Sequence, residues 1–336
     1  MNPTVISFGE MLIDFVALER DIPVGDAKCF EKAAGGAPAN VAVGLAKLGI
    51  PVAFMTQVGN DPFGHFLVET LHKNGVDTSA IIFTDKACTA LAFVSVEASG
   101  ERSFAFYRKP SADMLMTNED LNQQLLESAS IFHFGSITLI DEPVRSTTLA
   151  AIQITKDHDA LISYDPNLRP ALWSSLEAAR DGMLLGLRHA NIVKMNREEL
   201  GFLTGRTDLE LVAAIVDAAR SLWHDDLVLM VITQGNRGCI ALNQQSHWQT
   251  DGFSIEVEDT IGAGDGFMAG LLAGLITRQA AELRKHIELD IIPILQQANA
   301  VGALTAGKRG GIPALPDTKS VKRFLVEHEF SSELLP

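Results

Sequence analysis

Short runs of apolar residues recur along the chain and are separated by stretches in which the apolar residues have helical spacing. Continuous apolar runs rich in Val, Ile and Leu are typical of strands that are buried on both faces of a sheet. On this pattern we predict strands at residues 5–8, 52–58, 131–134, 161–164, 192–194 and 227–233.

Helical spacing predicts helices between these strands. The segments are residues 40–48, 62–74, 143–158, 175–189 and 209–223, with two further helical patterns at 264–278 and 287–306. Regular alternation of strand and helix is typical of a parallel sheet covered by helices on both faces. The pattern therefore predicts an α/β fold with a mostly parallel central sheet.

Two stretches interrupt this alternation, residues 11–33 and 87–108. The second alternates apolar and polar residues about Ser99-Gly100, which is a hairpin signal. We expect both stretches to form an antiparallel β flap, or lid, that projects from the main sheet. Because no repeat or linker divides the chain, we predict a single domain, residues 1–336, with the lid inserted at 11–33 and 87–108.

The composition narrows the class of protein. The chain has 336 residues, of which 47% are hydrophobic, and a formal net charge of −15. The composition is that of a globular protein, and the negative charge disfavours binding to nucleic acid or to anionic membranes. No apolar stretch approaches the roughly 20 residues that a membrane-spanning helix needs.

The cysteines and the amino terminus indicate the compartment. Cys29, Cys88 and Cys239 lie far apart and have no metal-binding spacing, which predicts a reducing compartment. The first residues lack the basic region of a secretory signal peptide and predict a strand. We therefore expect a cytoplasmic location.

The most informative segment reads D-T-I-G-A-G-D-G-F at residues 259–267 and precedes an apolar helical pattern. Glycines at the start of a helix allow the amides of Gly262, Ala263 and Gly264 to converge on an anion, which the helix dipole also attracts. An acidic residue in an anion site is unfavourable unless it has a chemical role. Asp265 fits a base that deprotonates a hydroxyl group attacking phosphorus, although a lone glycine-rich turn with a capping aspartate reads the same way.

A second glycine-containing segment lies upstream. Gly35 and Gly36 precede a helical pattern that carries Asn40, and V-G-N-D-P-F-G follows at residues 58–64. Paired glycines allow a polyol to approach the backbone, and Asn40 can both donate and accept hydrogen bonds. Taken together, the segments at 35–49 and 259–267 resemble the two signatures of the PfkB (ribokinase-like) carbohydrate kinase family.

Further motifs follow in the order of that family over nearly the whole chain. N-R-E-E at residues 196–199 is similar to its N-x-x-E element, and T-Q-G-N-R-G at 233–238 is similar to its nucleotide-binding turn. The resemblance implies a ribokinase-like three-layer α/β/α sandwich with a small β-sheet lid. It also implies a nucleotide site made by Lys194, Asn196, Thr233, Gly235, Gly238 and Asn299.

Other segments resemble the fructokinase branch of the family. They are Gly9-Glu10 with Asp14, F-Y-R-K-P-S-A-D at residues 106–113, and D-P-N-L-R-P-A-L-W at 165–173. This resemblance implies a sugar site that contains Asp14, Gly35, Gly36, Asn40, Arg108, Asn167 and Arg169.

The resemblance implies an ATP-dependent kinase that phosphorylates the 6-hydroxyl of D-fructose with Asp265 as the base. Glu199 would act on Mg²⁺ through bound water, and backbone carbonyls near Asp259 and Ile261 would hold a monovalent cation such as K⁺. A homodimer formed through the lid is a further implication, since many relatives pair in this way.

Two classes of alternative stay open. Within the family, the substrate could instead be 2-keto-3-deoxygluconate, ribose or a nucleoside such as an aminoimidazole riboside, because Arg108 and Arg169 would suit an acid sugar. Outside catalysis, the chain could be a sugar-binding module on the same fold. A nicotinamide oxidoreductase is disfavoured because no G-x-G-x-x-G follows the first strand.

Two segments of the sequence differ from the motifs that they resemble. Residues 302–309 almost match a P-loop, but Arg309 replaces the metal-binding Ser or Thr and the segment follows a helical pattern, so we reject that motif. The chain also departs from the family at Gly266, where a residue with a Cβ is common, and at Ile261, where Thr is frequent. We expect the apolar helix to absorb the cost of Gly266.

Overall fold

The computed structural model describes residues 5–19, 21–96, 102–276 and 291–330. Within these ranges the strands are β1 (Val5–Phe8), β2 (Leu12–Ala17), β3 (Phe30–Gly35), β4 (Val52–Gly59), β5 (Ile81–Thr84), β6 (Ala90–Val96), β7 (Arg102–Tyr107), β8 (Ile131–Gly135), β9 (Leu161–Asp165), β10 (Ile192–Asn196), β11 (Leu229–Thr233), β12 (Cys239–Leu242) and β13 (His247–Thr250). The α-helices are α1 (Ala37–Lys47), α2 (Pro62–Lys73), α3 (Gln123–Glu127), α4 (Val144–Asp157), α5 (Leu176–His189), α6 (Arg197–Thr204), α7 (Val212–Arg220), α8 (Ala263–Ile276), α9 (Ile291–Ala306) and α10 (Thr318–Glu327).

The larger sheet has nine strands in the order β13-β12-β11-β10-β9-β8-β1-β4-β5. All neighbours from β11 to β5 pair in parallel, and β12 and β13 add an antiparallel edge. The six predicted strands are confirmed, each within two residues at either end. The prediction missed the two edge strands, β5 and β13, which are less completely buried, and also β12, a fully buried strand of four residues next to the edge.

Helices cover both faces of this sheet. Alternate strand residues face opposite ways, so that Val5 packs in one hydrophobic core and Ile6 in the other. The first core includes residues of α1, α2, α8, α9 and α10, and the second includes residues of α4, α5, α6 and α7. The predicted three-layer α/β/α arrangement is therefore confirmed. Among the described helices, none is long and apolar enough to cross a membrane.

The lid is a separate sheet of four strands in the order β3-β2-β6-β7. The β6–β7 hairpin is antiparallel, as predicted, and its expected turn at Ser99-Gly100 lies outside the described residues. The prediction of a wholly antiparallel flap was wrong, because β2 and β6 pair in parallel. The lid is therefore a mixed sheet, with one parallel pair between two antiparallel pairs.

Helices α8 and α9 pack closely against each other. Glycines at four-residue spacing, Gly266, Gly270 and Gly274, lie on the α8 face that meets α9. A Cβ on Gly266 would lie 2.5 Å from Thr305 Oγ1, and one on Gly270 would lie 2.9 Å from the Ala298 Cα. Gly266 is therefore a packing requirement of this chain, in addition to a cost in helix propensity.

The base of the lid is fixed to the main domain by Asp61. Its carboxylate caps α2 through the backbone N–H groups of Phe63 and Gly64 and also accepts from the N–H and Oγ1 of Thr89, which directly precedes β6. Although partial burial opposes the effect, these hydrogen bonds hold the pKa of Asp61 below its usual value.

We expect Asp61→Asn to lower the free energy of unfolding by about 1–2 kcal/mol, because the amide offers fewer acceptor sites for the capping bonds. A depressed folded-state pKa contributes stability above the unfolded-state pKa, and this is lost as pH falls through the folded value. Urea denaturation at pH 7 and at acidic pH measures both effects. A cost that does not shrink at acidic pH would contradict this account, and Asp317→Asn, at the cap of α10 away from the lid, is the matched control.

Candidate active site

A cavity of about 650 Å³ lies between the lid and the main domain. The lid contributes apolar side chains and Asp14, and the main domain contributes the carboxyl ends of β1, β9 and β10 and the amino end of α8. Ligands in open α/β sheets bind at this carboxyl edge. The predicted residues that line the cavity are Asp14, Gly36, Asn40, Asn167, Arg169, Lys194, Asn196, Glu199, Ile261, Gly262, Gly264 and Asp265.

Asp265 lies in the first turn of α8, and its Oδ2 accepts a hydrogen bond from Asn40 Nδ2 at 2.8 Å. The two residues are far apart in the sequence and are joined because α1 packs against α8. Burial raises the pKa of Asp265 to about 6, although the Asn40 hydrogen bond opposes the rise. A carboxylate with this pKa is ionised at neutral pH and is more basic than an exposed aspartate, which suits a general base.

The turn before α8 has the geometry of an anion site. Gly262 has a φ of +74° and precedes the helix, which starts at Ala263. The Ala263 N–H donates weakly to the Thr260 carbonyl at 3.3 Å, and Gly264 is exposed in the cavity wall. Amides in the first helical turn have no acceptor within the helix, so they are available to bound phosphate.

The two glycines before α1 make room for the sugar-facing groups. A Cβ on Gly35 would overlap the Asp14 carboxylate, which lies against the bare backbone. Gly36 has a φ of +111°, and a Cβ there would overlap the Glu10 carbonyl oxygen. Both glycines are therefore needed where β3 passes into α1, although Gly35 itself does not line the cavity.

Asn167 and Arg169 follow the end of β9. Asn167 has a φ of +45°, a conformation that asparagine tolerates better than most residues and that is often found at functional positions. The Arg169 Nη1 donates to the carbonyl of Leu168 at 3.0 Å, and its half-buried guanidinium faces the cavity.

Arg108 does not reach the cavity wall. Its side chain is buried behind the base of the lid, where it forms an ion pair with Asp113, and Ser111 Oγ donates to the other carboxylate oxygen of Asp113 at 2.5 Å. Direct contact between Arg108 and the substrate therefore stays a prediction, and this geometry does not favour it. Sequence alone could not reveal the buried partner.

Glu10 lines the cavity but was not among the predicted site residues. Its side chain is buried, and Oε1 accepts from the Ala37 N–H at 3.3 Å, while Oε2 has no hydrogen-bond partner among the described residues. Burial raises the pKa of Glu10 to about 7 against the opposing charge of Arg108. The only sequence signal was its place in the Gly9-Glu10 pair.

A cluster of buried charges lies beside Asp265. Lys194 Nζ donates to Asp165 Oδ2 at 2.8 Å. Glu199 forms a reciprocal cap with Asn196 at the start of α6, and its other oxygen accepts from the Leu168 N–H at 2.8 Å. Burial and the Asp165 carboxylate raise the pKa of Glu199, while Asp165 and Glu199 raise that of Lys194 against the effect of its burial. Asp165 begins the D-P-N-L-R motif, and the sequence pattern indicated no role for it.

A second cavity, of about 260 Å³, adjoins the first. Its wall is mostly apolar and includes Thr233, Gly235, Gly238 and Asn299, all of which were predicted for the nucleotide. The Asn299 amide donates to Thr250 Oγ1 at 2.9 Å and to the Asp251 carbonyl at 3.3 Å. Thr260 and Gly264 line both cavities, so the two meet at the amino end of α8.

The P-loop-like segment has a different structure. Gly302 lines the second cavity, and residues 302–306 are the last residues of α9, so the segment is helical where a P-loop would be a turn after a strand. The rejection of a P-loop is confirmed. Nearby, the Asp259 carboxylate accepts from the N–H groups of Ile261 and Gly310 at 3.0 Å each. These bonds connect the 259–261 turn to the segment after α9.

The side chains of Glu199 and Asn196 suit a divalent cation that is bound through water molecules. Each Glu199 oxygen accepts one backbone N–H and keeps further lone pairs, while Asn196 also lines the cavity. No group of three or more His, Cys, Asp or Glu residues that could enclose a metal occurs in the described part of the chain. Mg²⁺ keeps much of its hydration and commonly relies on substrate phosphates, which suits such a site.

Comparison with known proteins agrees with this geometry. Residues 2–318 match the pfkB family carbohydrate kinase profile, and the chain belongs to that family. It is 44% identical over 321 residues to a protein named probable fructokinase-2 from Arabidopsis thaliana, covering 96% of this chain and 95% of the relative.

Solved structures that resemble this chain also include proteins named as fructokinases. A fructokinase from Xylella fastidiosa with bound ATP superposes with a TM-score of 0.88 at 33% identity, covering 98% of this chain and all of the other. A double mutant of the fructokinase from Vibrio cholerae O395, with fructose, ADP and potassium ion bound, superposes with a TM-score of 0.83 at 32% identity, covering 96% of this chain and 98% of that one. The predicted family and ribokinase-like fold are confirmed.

Proposed function

We propose that this protein is an ATP-dependent fructokinase that transfers the γ-phosphoryl group to the 6-hydroxyl of D-fructose. The observation that carries the proposal is the meeting of the two cavities at Gly264, with Asp265 on the side of the lid. A nucleotide in the apolar cavity would present its terminal phosphate to the amino end of α8. A sugar under the lid would present a hydroxyl group to Asp265.

In the proposed reaction, Asp265 takes the proton of the 6-hydroxyl as its oxygen attacks the γ-phosphorus, and the bond to the ADP oxygen breaks. Asn40 orients the carboxylate through its 2.8 Å hydrogen bond. The amides of Gly262, Ala263 and Gly264 stabilise the charge on the transferring oxygens. Catalysis then depends mainly on positioning and electrostatic stabilisation.

Sugar recognition is assigned to polar groups on opposite walls of the cavity. Asp14 accepts hydrogen bonds from hydroxyl groups, and Asn167 both donates and accepts. Arg169 offers a cationic fork that suits sugar or phosphate oxygens. The apolar lid residues exclude water and so limit the hydrolysis of ATP without sugar.

Lys194, Asn196 and Glu199 are assigned to the phosphate and metal side of the site. Mg²⁺ bound with ATP would neutralise charge on the phosphate oxygens, with Glu199 acting through bound water. Thr233, Gly235, Gly238 and Asn299 form the nucleotide wall. A monovalent cation such as K⁺ near the carbonyls of Asp259 and Ile261 is part of the proposal, supported by the potassium-containing relative.

Three further parts of the proposal rest on the sequence. They are the single domain over residues 1–336, a cytoplasmic location and a homodimer formed through the lid. Exposed apolar side chains on the lid, Leu18 and Tyr107, support the dimer.

Substrate profiling with Mg-ATP tests the proposal. We expect a kcat/KM for fructose at least about tenfold above that for glucose, ribose, 2-keto-3-deoxygluconate or an aminoimidazole riboside. ADP release in a coupled assay is the measurement, and the Asp265→Asn variant is the control for contaminating kinases. A clear preference for one of the other sugars would reassign the substrate, and no sugar-dependent ADP release would favour a binding module.

A further inference from the structure

Asp165 is a buried carboxylate that touches neither cavity. It ends β9, its side chain is 5% exposed, and its Oδ2 accepts from the Lys194 ammonium, whose side chain is 7% exposed. The other oxygen, Oδ1, has no hydrogen-bond partner among the described residues. Asp165 therefore does not contact a ligand in either cavity, and Lys194 is the cavity-lining residue to which it is hydrogen-bonded.

The position of Lys194 is unfavourable without such a partner. Its Nζ lies 3.1 Å from the point that a Cβ on Gly264 would occupy, so the ammonium rests against the first turn of α8. The positive end of the helix dipole repels a cation there. Asp265 and Glu199 line the same cavity as Lys194, and their carboxylates also attract its ammonium.

We propose that Asp165 is a positioning residue that holds the Lys194 ammonium beside Gly264 and so prevents it from pairing with the proposed base Asp265. In this position the remaining N–H donors of the Lys194 ammonium can bind an incoming phosphate. Asp265 stays available for the sugar hydroxyl. The inference rests on the proposed kinase function and adds a residue that the sequence motif left without a role.

The Asp165→Asn variant tests the proposal because it keeps the shape of the side chain and removes its charge. The groups that act on the charge of Asp265 are Asn40 on α1 through its hydrogen bond, and Asp165 at the end of β9, Lys194 on β10 and Arg169 after β9 through their charges. Loss of the Asp165 charge and approach of Lys194 both favour ionised Asp265. We expect kcat to fall about 10- to 100-fold. In the pH profile of kcat/KM, we expect the acidic limb, where activity falls as the base is protonated, to move to lower pH.

Lys194→Met shows whether Asp165 acts through the lysine. In the Lys194→Met background, Asp165→Asn is expected to change kcat by less than about threefold, because the group that it positions is already absent. This double variant also removes both charges of the buried pair, so it avoids the uncompensated charge that could prevent the single variant from folding. An equal loss of kcat in both backgrounds would overturn the proposal.

Asp113→Asn is the matched control, because it also removes the carboxylate of a buried ion pair but at the base of the lid. It is expected to lower stability and leave the acidic limb in place. An unmoved limb in Asp165→Asn would reduce Asp165 to a structural role and overturn the inference. A wild-type protein without fructose-dependent turnover would instead overturn the proposed function, so the two failures are distinguishable.

Discussion

Replacement of Asp265 by asparagine is expected to lower kcat for fructose phosphorylation by about 10²- to 10⁴-fold. The amide keeps the size of the side chain and a hydrogen bond with Asn40 but cannot take the proton of the sugar hydroxyl. The KM for fructose should change little, because that hydroxyl is one of several contacts. Steady-state kinetics at pH 7–8 measures both, and near-normal turnover would remove Asp265 from the role of base.

Stability and pH dependence are the controls for this result. Because the pKa of Asp265 rises from 3.8 to about 6 in the folded protein, ionised Asp265 opposes folding increasingly as pH rises through that interval. Asp265→Asn lacks this penalty and should unfold at the same temperature as wild type or higher at neutral pH. A lower Tm would mean that lost activity reflects lost structure.

In the wild-type protein, kcat/KM should fall below about pH 6, since the base must be ionised in the free enzyme. Glu10 is the competing origin of an acidic limb, because its pKa is raised to about 7 by burial. Glu10→Gln should leave the limb in place. Disappearance of the limb in that variant would assign it to Glu10.

Replacement of Gly238 by alanine is expected to lower the free energy of unfolding by about 3 kcal/mol or more and to raise the KM for ATP. Gly238 ends the nucleotide turn with φ +83° and ψ −136°, a conformation that is almost restricted to glycine. A Cβ would overlap the Thr250 carbonyl oxygen and lie 2.6 Å from the Gly252 nitrogen. Both neighbours are backbone atoms, so no side-chain rotation relieves the contact.

Gly235 provides the matched control in the same turn. It also has a positive φ, of +61°, but a Cβ there would meet nothing within 4 Å. Gly235→Ala should therefore cost only the conformational strain, about 1–2 kcal/mol. Urea denaturation and ATP titration of both variants make the comparison, and equal losses would show that crowding at Gly238 is unimportant.

Much of the fold could be predicted because its signals are local. The apolar runs of β1, β8 and β9 and the helical spacing of α2 and α5 depend on residues that are neighbours in the chain. The glycine turn before α8 has a similarly local signal. The edge strands β5 and β13 are short and only partly buried, so their local signal is weaker and they were missed.

Several features of the site depend on distant contacts instead. The parallel pairing of β2 with β6, the burial of Arg108 against Asp113 and the ion pair between Asp165 and Lys194 leave no local pattern. Gly266 is a further case, because the need for glycine comes from Thr305 on another helix.

The α/β class, the order of the central elements and the identity of the chemical groups could all be inferred from the amino-acid sequence alone. Periodicity and turn preference act over a few residues, so they can be read from the chain directly. The folded arrangement was needed to show which groups share one cavity, which are neutralised by buried partners, and how the pKa of Asp265 is shifted. Those properties depend on burial and on charges brought close by packing, and hydrophobic packing joins residues such as Asn40 and Asp265 without regard to their separation in the chain.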